Sequence, residues 1–254
     1  MFVFQELIFE RNLQSIMHDI DIFGMAFEDY LEGETGGVIR VGTNISEDEE
    51  LPVAYFFRSY DDMPEWEQMV IDRCVGSILD VGAGAGSHAL ELQARGHGVC
   101  ALDRSPGAAR VMQQRGVQDV VCDDFFRIRR KGFDTILFLM NGAGIAGTLE
   151  RLHKLLTHAK KLLNSGGVIY LESTDLIYMY REEDGSAMIP MGLHYYGELK
   201  YRLAYRDLKA KPFPWLFVDP DNLAEIAGRC GLTSRIIYLG RDHNYLAEIR
   251  KAGV

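Results

Sequence analysis

A glycine-rich loop between a predicted strand and a predicted helix constrains this fold more than any other stretch of the chain. Residues 80–86 read Asp-Val-Gly-Ala-Gly-Ala-Gly, directly after the apolar run 77–81 and before a segment with helical spacing. Glycines at such a turn let the backbone bend tightly and let a ligand lie against bare main chain. We therefore expect a ligand-binding loop at the end of a strand in an α/β sheet.

The spacing and charge of this loop disfavour a phosphate ligand. A dinucleotide-binding loop follows G-x-G-x-x-G, which seats a pyrophosphate on the helix N-terminus. Here the third glycine comes one residue too soon, and Ser87 occupies the pyrophosphate-type position. Asp80 precedes the first glycine, and a carboxylate there repels phosphate but attracts a cationic ligand. A nicotinamide oxidoreductase is therefore the weaker alternative.

Strand and helix patterns alternate from about Ser77 onward, which predicts a parallel sheet with helices on both faces. Near the C-terminus, two further strands are separated only by Gly-Arg-Asp-His-Asn, which is too short for a crossover helix. They are predicted to form an antiparallel hairpin at the sheet edge. The predicted strands are 77–81, 98–102, 118–122, 135–140, 168–173, 235–239 and 245–249.

Two segments lie outside this alternating frame. Residues 1–75 precede the first strand and contain helical patterns at 20–31 and from Met63-Pro64 toward Cys74. Residues 176–218 are an insertion in which apolar and polar side chains alternate over 199–205, the period of a half-buried strand. We expect an N-terminal cap (1–75) and a core (76–254) whose 176–218 insertion forms a substrate cap. Both caps should close over the strand ends.

Composition narrows the class of partner. The chain has 254 residues with 27 Lys and Arg against 37 Asp and Glu, a formal net charge of −10. A protein that binds nucleic acid or an anionic membrane normally carries a basic surplus, so neither partner is expected. No run reaches the ~18 apolar residues of a membrane span.

The cysteines and the N-terminus indicate the compartment. Four cysteines form no C-x-x-C pair, so we expect reduced core thiols and no metal site. The first residues lack a basic stretch and carry Glu6 and Glu10, unlike a secretory signal. We therefore expect a cytoplasmic protein. The sequence gives no indication of its oligomeric state.

A second acid extends the ligand site. Asp103 closes the second predicted strand, 21 residues after Gly82. In open parallel sheets the ligand lies across the strand ends, and an acid at this place accepts the two ribose hydroxyls. The glycine loop with Asp80 and Asp103 thus describes a nucleoside that carries positive charge. For either acid alone, the alternative is a purely structural role as a helix cap or a surface residue.

These residues resemble the first motif of the class I S-adenosylmethionine-dependent methyltransferases, (E/D)-x-G-x-G-x-G. The resemblance covers about residues 77–254, and the terminal hairpin is similar to the antiparallel sixth and seventh strands of that family. The cap regions are similar to uncharacterised bacterial small-molecule methyltransferases. The resemblance implies a Rossmann-like sheet of seven mostly parallel strands. It also implies methyl transfer from S-adenosylmethionine to a small-molecule acceptor, with S-adenosylhomocysteine as product.

The resemblance also implies roles for individual residues. Asp80 and the glycine loop would hold the methionine part, Asp103 the ribose, and Arg104 would lie beside the adenine. Asp124 would bind the adenine N6 amine, with Asp123 as the alternative and Phe125 packing on the ring. Asn141 and Gly142, after the fourth strand, would lie near the methionine carboxylate and the transferring methyl. The implied cofactor residues are Asp80, Gly82, Ala83, Gly84, Gly86, Asp103, Arg104, Asp123, Asp124, Phe125, Asn141 and Gly142. Asp123-Asp124 and Asn141-Gly142 could instead be simple turns.

Other candidates stand outside the motif. Residues 55–60 form either a lid over the cofactor, with Arg58 pairing with its carboxylate, or a strand packed on the core. His194, Tyr195 and Tyr196 either orient an acceptor or act as general base, or belong to an ordinary strand face. His88 either touches the cofactor or caps a helix.

Three further side chains have structural interpretations. His158 is read as a surface residue, and Trp66 and Trp215 as core anchors.

The sequence leaves the catalytic groups undefined, and the chemistry explains why. Displacement at a sulfonium needs positioning and water exclusion more than acid–base catalysis. Two alternatives keep the cofactor but change its use. One is aminopropyl transfer from the decarboxylated cofactor, and the other is a non-catalytic subunit that binds S-adenosylmethionine.

Overall fold

The computed structural model describes residues 20–182, 184, 186–189, 192 and 194–253. The described helices are α1 (Ile22–Leu31), α2 (Glu65–Arg73), α3 (Ser87–Ala94), α4 (Pro106–Gln114), α5 (Leu149–Leu162) and α6 (Pro220–Arg229). The described strands are β1 (Val38–Gly42), β2 (Glu49–Pro52), β3 (Ser77–Val81), β4 (Gly98–Asp103), β5 (Asp119–Cys122), β6 (Phe133–Phe138), β7 (Leu163–Thr174), β8 (Glu198–Tyr205), β9 (Leu208–Lys209), β10 (Phe213–Leu216), β11 (Leu232–Leu239) and β12 (Asn244–Lys251). The N-terminal residues that carry the expectation about a secretory signal lie outside these ranges.

The central sheet has seven strands in the order β11-β12-β7-β6-β3-β4-β5. The five strands from β7 to β5 in this order run parallel, whereas β12 is antiparallel to both β7 and β11. The predicted α/β fold with its antiparallel terminal hairpin is confirmed. Several strand boundaries differ by a few residues, and the largest difference is at β7, which already begins at Leu163, ahead of the Gly166-Gly167 pair expected to precede it.

Helices cover both faces of this sheet because side chains alternate along each strand. Leu79 and Val81 of β3 pack in the core beneath α5 and α6. Ile78 packs in the opposite core, beneath α2, α3 and α4. Asp80 follows the alternation of Ile78, so this carboxylate points toward the face covered by α2 and α3. A strand buried on both faces therefore directs one acid into an apolar layer.

The two flanking segments form a second, antiparallel sheet together. Its strand order is β10-β8-β1-β2, and β9 pairs with β8. β1 from the N-terminal segment pairs with β8 from the insertion, with Val41 opposite Leu203. The alternation predicted for 199–205 is present up to Leu203, since Leu199 and Leu203 are buried while Lys200 and Arg202 are exposed, but Ala204 is buried as well as Tyr205. We call this second sheet the cap sheet.

Residues 55–60 do not form the strand that was one of the two alternatives expected for them. They lie in two short 3₁₀ segments, Val53–Phe57 and Tyr60–Asp62, separated by extended residues. The expectation of a strand here is therefore wrong. The aromatic rings of Phe56 and Phe57 pack against Phe27 of α1 instead.

The cysteines are free thiols, but they do not all lie in the core. Cys74 and Cys100 are buried, Cys230 is partly buried, and Cys122 at the end of β5 is exposed. Within the described ranges, no helix is long and apolar enough to cross a membrane. No group of three or more His, Cys, Asp or Glu side chains in these ranges is placed to hold a metal ion.

Asp21 connects the N-terminal segment to the core. Its Oδ1 accepts a hydrogen bond from Gly24 N at 2.9 Å and so caps α1. Its Oδ2 accepts from Ser105 Oγ at 2.8 Å and from Gly107 N at 3.0 Å at the start of α4. One carboxylate thus satisfies the amide donors of two helix N-termini, where negative charge is favourable.

We predict that Asp21→Ala lowers the free energy of unfolding by about 2 kcal/mol, because a lost helix cap alone costs about 1 kcal/mol and here two helices lose an acceptor. Urea unfolding measures the change. Glu32→Ala is the matched control at the other end of α1, because this exposed side chain makes no hydrogen bond among the described residues. An equal loss in both variants would contradict the joint role of Asp21.

Candidate cofactor and active site

The glycine loop lies where the strand order of the central sheet reverses. The chain runs from β3 outward through β4 to β5, then returns to place β6 on the other side of β3. In open α/β sheets this switch point leaves a crevice at the carboxyl ends of the strands, where ligands bind. The loop after β3 and the turn after β6 border that crevice.

The backbone of the loop explains its three glycines. Gly82, Gly84 and Gly86 have φ values of 75°, 58° and 85°, which residues with a Cβ adopt only with strain. Two amides of the loop, Gly82 N and Ala83 N, donate to Leu102 O at 2.8 and 3.1 Å. At Gly84, a Cβ would have its nearest neighbour, Phe27, at 3.8 Å. The loop is thus fixed to β4 while space remains beside Gly84.

Asp103 joins the loop to the end of β4. Its Oδ2 accepts from Gly84 N at 2.9 Å and its Oδ1 from Ser105 N at 2.9 Å. Burial raises the pKa of Asp103 even though these two amides favour the charged form. Each carboxylate oxygen has two lone pairs, so each can still accept one hydroxyl proton.

Asp80 is a buried carboxylate with one oxygen that has no hydrogen-bond partner among the described residues. It is 2% exposed, and its Oδ2 is buried without a hydrogen-bond partner among the described residues. Burial raises the pKa of Asp80 to about 6, although the nearby His88 charge opposes the shift. A buried ionised acid without a partner is costly. The arrangement therefore suits a positively charged ligand group beside Asp80.

A buried charge network that the sequence did not reveal lies on the same face of the sheet. Glu67 of α2 pairs with Arg58, and its Oε2 lies 2.6 Å from Nε2 of His88 on α3. Burial would raise the pKa of Glu67, but the hydrogen bonds and charges of His88 and Arg58 lower it. Burial would lower the pKa of His88, but the bond and charge of Glu67 raise it. The His88 side chain therefore pairs with Glu67 and does not cap a helix. The sequence does not indicate Glu67 as a site residue, because only the folded chain brings it beside His88.

Arg58 is engaged within the protein. Besides Glu67, it donates to Tyr55 O and lies 4.0 Å above the Tyr55 ring centroid. Its Nε is buried without a partner among the described residues. The structure thus holds Arg58 by its terminal nitrogens and leaves its Nε donor unused among the described residues.

Glu172 near the end of β7 is a second functional candidate that the sequence did not indicate. It is 7% exposed, and its Oε2 accepts from Met140 N at 2.7 Å. Burial, followed by the charge of Glu67, raises the pKa of Glu172 to about 7. Trp66 of α2 is only partly buried, and its indole N–H lies near enough to Glu172 to oppose the rise in the pKa, although it forms no hydrogen bond of normal geometry among the described residues.

Asn141 occupies a strained turn directly after β6. Met140 and Asn141 have φ values of 52° and 57°, in the left-handed region. Both polar atoms of the Asn141 amide are buried and have no hydrogen-bond partner among the described residues. Gly142 starts the 3₁₀ segment that follows, and a Cβ there would lie 2.8 Å from Phe138 Cβ. The predicted β6 ends two residues early because of this turn.

The residues expected near an adenine lie on the opposite side of the loop. Asp123, Asp124 and Arg104 keep exposed surface. Asp123 Oδ1 accepts from Asp124 N, and Asp124 Oδ1 accepts from Phe126 N, each at 2.8 Å, so both acids also form the turn. Either acid retains an oxygen for a ligand.

Phe125 does not fit its expected role. It is 4% exposed, and its ring packs in the core against Phe138 and His158, with centroids 5.1 Å away in both cases. A ring enclosed in this way has little surface left for stacking on a ligand. His158 is correspondingly a partly buried residue, and its interpretation as a surface residue is wrong.

The insertion residues suggested as general bases are held by carboxylates. The Tyr195 hydroxyl donates to Asp219, and the Tyr196 hydroxyl donates to Asp175 at 2.7 Å. Burial, followed by these carboxylate partners, raises the pKa of both tyrosines. Hydroxyls of this kind are poor proton acceptors, which argues against the general-base role. His194 is exposed.

Comparisons with known proteins agree with this geometry. A family profile described as a methyltransferase domain matches residues 78–167. A solved structure of an S-adenosylmethionine-dependent methyltransferase from Bacteroides fragilis, in complex with S-adenosyl-L-homocysteine, is 37% identical in sequence. The match covers 93% of this chain and 99% of that one, with a TM-score of 0.85.

More distant structures share the fold. The CcbJ methyltransferase from Streptomyces caelestis is 15% identical over 76% of this chain and 95% of its own, with a TM-score of 0.60. The amino pentose methyltransferase CalS10 from Micromonospora echinaspora is 18% identical over 80% of this chain and 98% of its own, with a TM-score of 0.51. A search of curated proteins found no match. The glycine loop with its two acids and the near full-length match agree, and the chain belongs to the S-adenosylmethionine-dependent methyltransferases.

Proposed function

We propose that this methyltransferase binds S-adenosylmethionine across the carboxyl ends of β3, β4 and β6 and methylates a small-molecule acceptor beneath the cap sheet. The observation that carries the placement is the Asp80 carboxylate, buried beside the glycine loop with an unpaired oxygen. A cationic ligand in this crevice supplies the charge that the protein does not.

The charge of the buried groups supports this placement. Asp80, Glu67 and Glu172 are three buried acids on one face of the sheet, and Arg58 and His88 are the two buried cations among them. With the acids ionised and His88 protonated, one negative charge is in excess. S-adenosylmethionine carries an ammonium, a sulfonium and a carboxylate, and so one excess positive charge. The residues present therefore fit the cofactor electrostatically.

The remaining cofactor contacts follow the strand ends. Asp103 would accept the ribose hydroxyls with the lone pairs that Gly84 and Ser105 leave unused. Asp124, or alternatively Asp123, would accept from the adenine N6 amine, with Arg104 beside the ring. Phe125 is left out because its ring is enclosed in the core.

The residues around the methionine end form a third group of contacts. The main chain of Gly82, Ala83, Gly84 and Gly86 and the side chains of Asp80, Asn141 and Arg58 would surround this end of the cofactor, with Gly142 beside Asn141. Asn141 and the Nε of Arg58 offer polar atoms that have no partner among the described residues.

The protein's own contribution to the reaction is positioning and exclusion of water. When bound, the cofactor supplies a methyl group that is already activated by the sulfonium. The Asp80 carboxylate and the glycine loop would orient this end of the cofactor for in-line attack. The cap sheet would close the crevice, and its Trp215 ring packs so close to Gly144 that a Cβ there would be 1.9 Å from the ring. If the methylated acceptor atom carries a proton, that proton would pass to a base other than Tyr195 or Tyr196, because both hydroxyls are already bound to carboxylates.

A small-molecule acceptor suits the enclosure of the site and the charge of the chain. Strands from 1–75 and 176–218 build the cap sheet, so we keep these segments as the substrate-enclosing part and 76–254 as the core. The net charge of −10 disfavours a polyanionic acceptor such as nucleic acid. Four free thiols accord with a cytoplasmic location.

Replacement of the ribose acid tests the cofactor placement. We predict that Asp103→Ala weakens binding of S-adenosylhomocysteine about a hundredfold or more, because two charge-assisted hydrogen bonds are lost, each worth about 1.5 kcal/mol or more. Isothermal titration calorimetry measures the change.

Asp119→Ala is the matched control, since Asp119 lies on neighbouring β5 and pairs with Arg130 on the surface. Unchanged affinity in Asp103→Ala would exclude the proposed ribose contact. A wild-type protein that binds neither S-adenosylmethionine nor S-adenosylhomocysteine at millimolar concentration would refute the proposed function itself. Stabilisation by NAD instead would favour the oxidoreductase.

The pH dependence of cofactor binding gives a second test. The pKa values of about 6 for Asp80 and about 7 for Glu172 place both protonations between pH 7.5 and 5. A cation binds the ionised acids, so affinity for S-adenosylmethionine should fall as the pH is lowered through this range, by about tenfold or more at pH 5. S-adenosylhomocysteine lacks the sulfonium charge and should lose clearly less. Equal pH profiles for both ligands, measured by calorimetry, would contradict the charge complementarity.

A further inference from the structure

The turn after β6 has a backbone that the rest of the fold must hold in place. Met140 and Asn141 are consecutive residues with left-handed φ values of 52° and 57°, and neither is glycine. Such conformations are strained, and they persist where surrounding contacts determine them. Contacts with neighbouring elements must therefore hold this turn.

Glu172 is the side chain that holds the start of the turn. Its buried carboxylate accepts from Met140 N at 2.7 Å, across from the neighbouring strand β7. The far side is closed by main chain, since Asn141 O accepts from Gly144 N at 3.0 Å. Trp215 of β10 packs directly on Gly144. An apolar side chain in place of Glu172 would leave the Met140 amide without its acceptor.

Beside this clamp, the polar atoms of the Asn141 amide lie unpaired inside the protein. The Asn141 amide offers a donor and an acceptor, both buried and both without a partner among the described residues. Buried polar atoms in native proteins nearly always have partners, so an unpaired amide beside a ligand crevice points to a ligand. The backbone strain and the unpaired amide thus occur in the same residue.

We propose that Glu172 is a positioning residue: its carboxylate holds the left-handed Met140–Asn141 turn so that the Asn141 amide meets the methionine end of the cofactor. This inference rests on the proposed function, because it assumes that the cofactor occupies the crevice. Glu172 acts here as a hydrogen-bond acceptor, through Asn141, and its charge is secondary for this role. The substitution Glu172→Gln keeps an acceptor oxygen, whereas Glu172→Met keeps the length and removes the acceptor.

A double-mutant cycle separates positioning from a general structural effect. The probe is S-adenosylhomocysteine, which lacks the sulfonium charge, and the readout is Kd by calorimetry together with Tm for each variant. We expect Asn141→Ala and Glu172→Met each to raise Kd about tenfold, since each loses the same contact of about 1.4 kcal/mol. The double variant should also be about tenfold weaker, because the second change removes nothing further. Glu172→Gln should stay within about threefold of the wild type.

Asp219→Asn is the control for loss of a buried acid, because Asp219 is 8% exposed and caps α6 under the opposite face. It should leave Kd unchanged whatever its Tm. If Glu172→Met alone does not fold, the cycle is run in a Met140→Gly background, where glycine adopts the left-handed φ without strain. There, Glu172→Met should raise Kd clearly less than tenfold.

Three results would overturn the proposal. They are wild-type affinity in Glu172→Met, a double variant weakened about a hundredfold, or a loss of affinity in Asp219→Asn equal to that in Glu172→Met. In each case the wild type still binds, so the proposed function survives. Failure of the wild type to bind is a separate outcome that removes the premise.

Discussion

The organisation of this protein depends on a group of acids that the fold buries at the carboxyl ends of its central strands. Asp80 is carried into an apolar layer by β3, a strand that is buried on both faces. Glu67 is neutralised by Arg58 and His88, while among the described residues no cation forms an ion pair with Asp80 or Glu172. Their raised pKa values reflect an energetic cost in the ligand-free chain. Binding of the sulfonium cofactor would remove that cost, because the ligand itself supplies the missing positive charge.

We propose that the cap sheet encloses the same site. It is built from strands that precede the core and strands inserted after β7, and they pair directly with one another. Asp21 fixes the N-terminal part to α4 with hydrogen bonds to Ser105 and Gly107. Trp215 fixes the inserted part to the turn after β6. Two segments far apart in sequence thus form one sheet, and we propose that this sheet supplies the acceptor site of the methyltransferase.

The parts of the site that could be predicted are those encoded locally. The glycine loop, Asp80 and Asp103 follow from residue spacing beside a strand, and the short connection before β12 alone required a hairpin. Glu67 and Glu172 could not be predicted, because their significance arises from contacts with residues on other elements.

Phe125 was wrongly expected to contact the cofactor for a similar reason, since α5 determines that its ring is enclosed. The pairing of β1 with β8 has no local signal either. Alternation predicted the strand at 199–205, but hydrogen bonding between distant segments decided its neighbour.

We infer that the buried Asp80 carboxylate destabilises the ligand-free protein and stabilises the bound cationic cofactor. Its raised pKa means that the folded chain binds a proton more tightly than the unfolded chain, so stability is lost as the pH rises from about 4 through about 6. The direct measurement is urea unfolding of wild type and Asp80→Asn at pH 8, each with and without saturating S-adenosylmethionine.

The account predicts that Asp80→Asn is more stable than the wild type without ligand, by on the order of 2 kcal/mol. It also predicts that the cofactor stabilises this variant much less than the wild type. A variant that is less stable without ligand and is stabilised as strongly by S-adenosylmethionine would contradict the account.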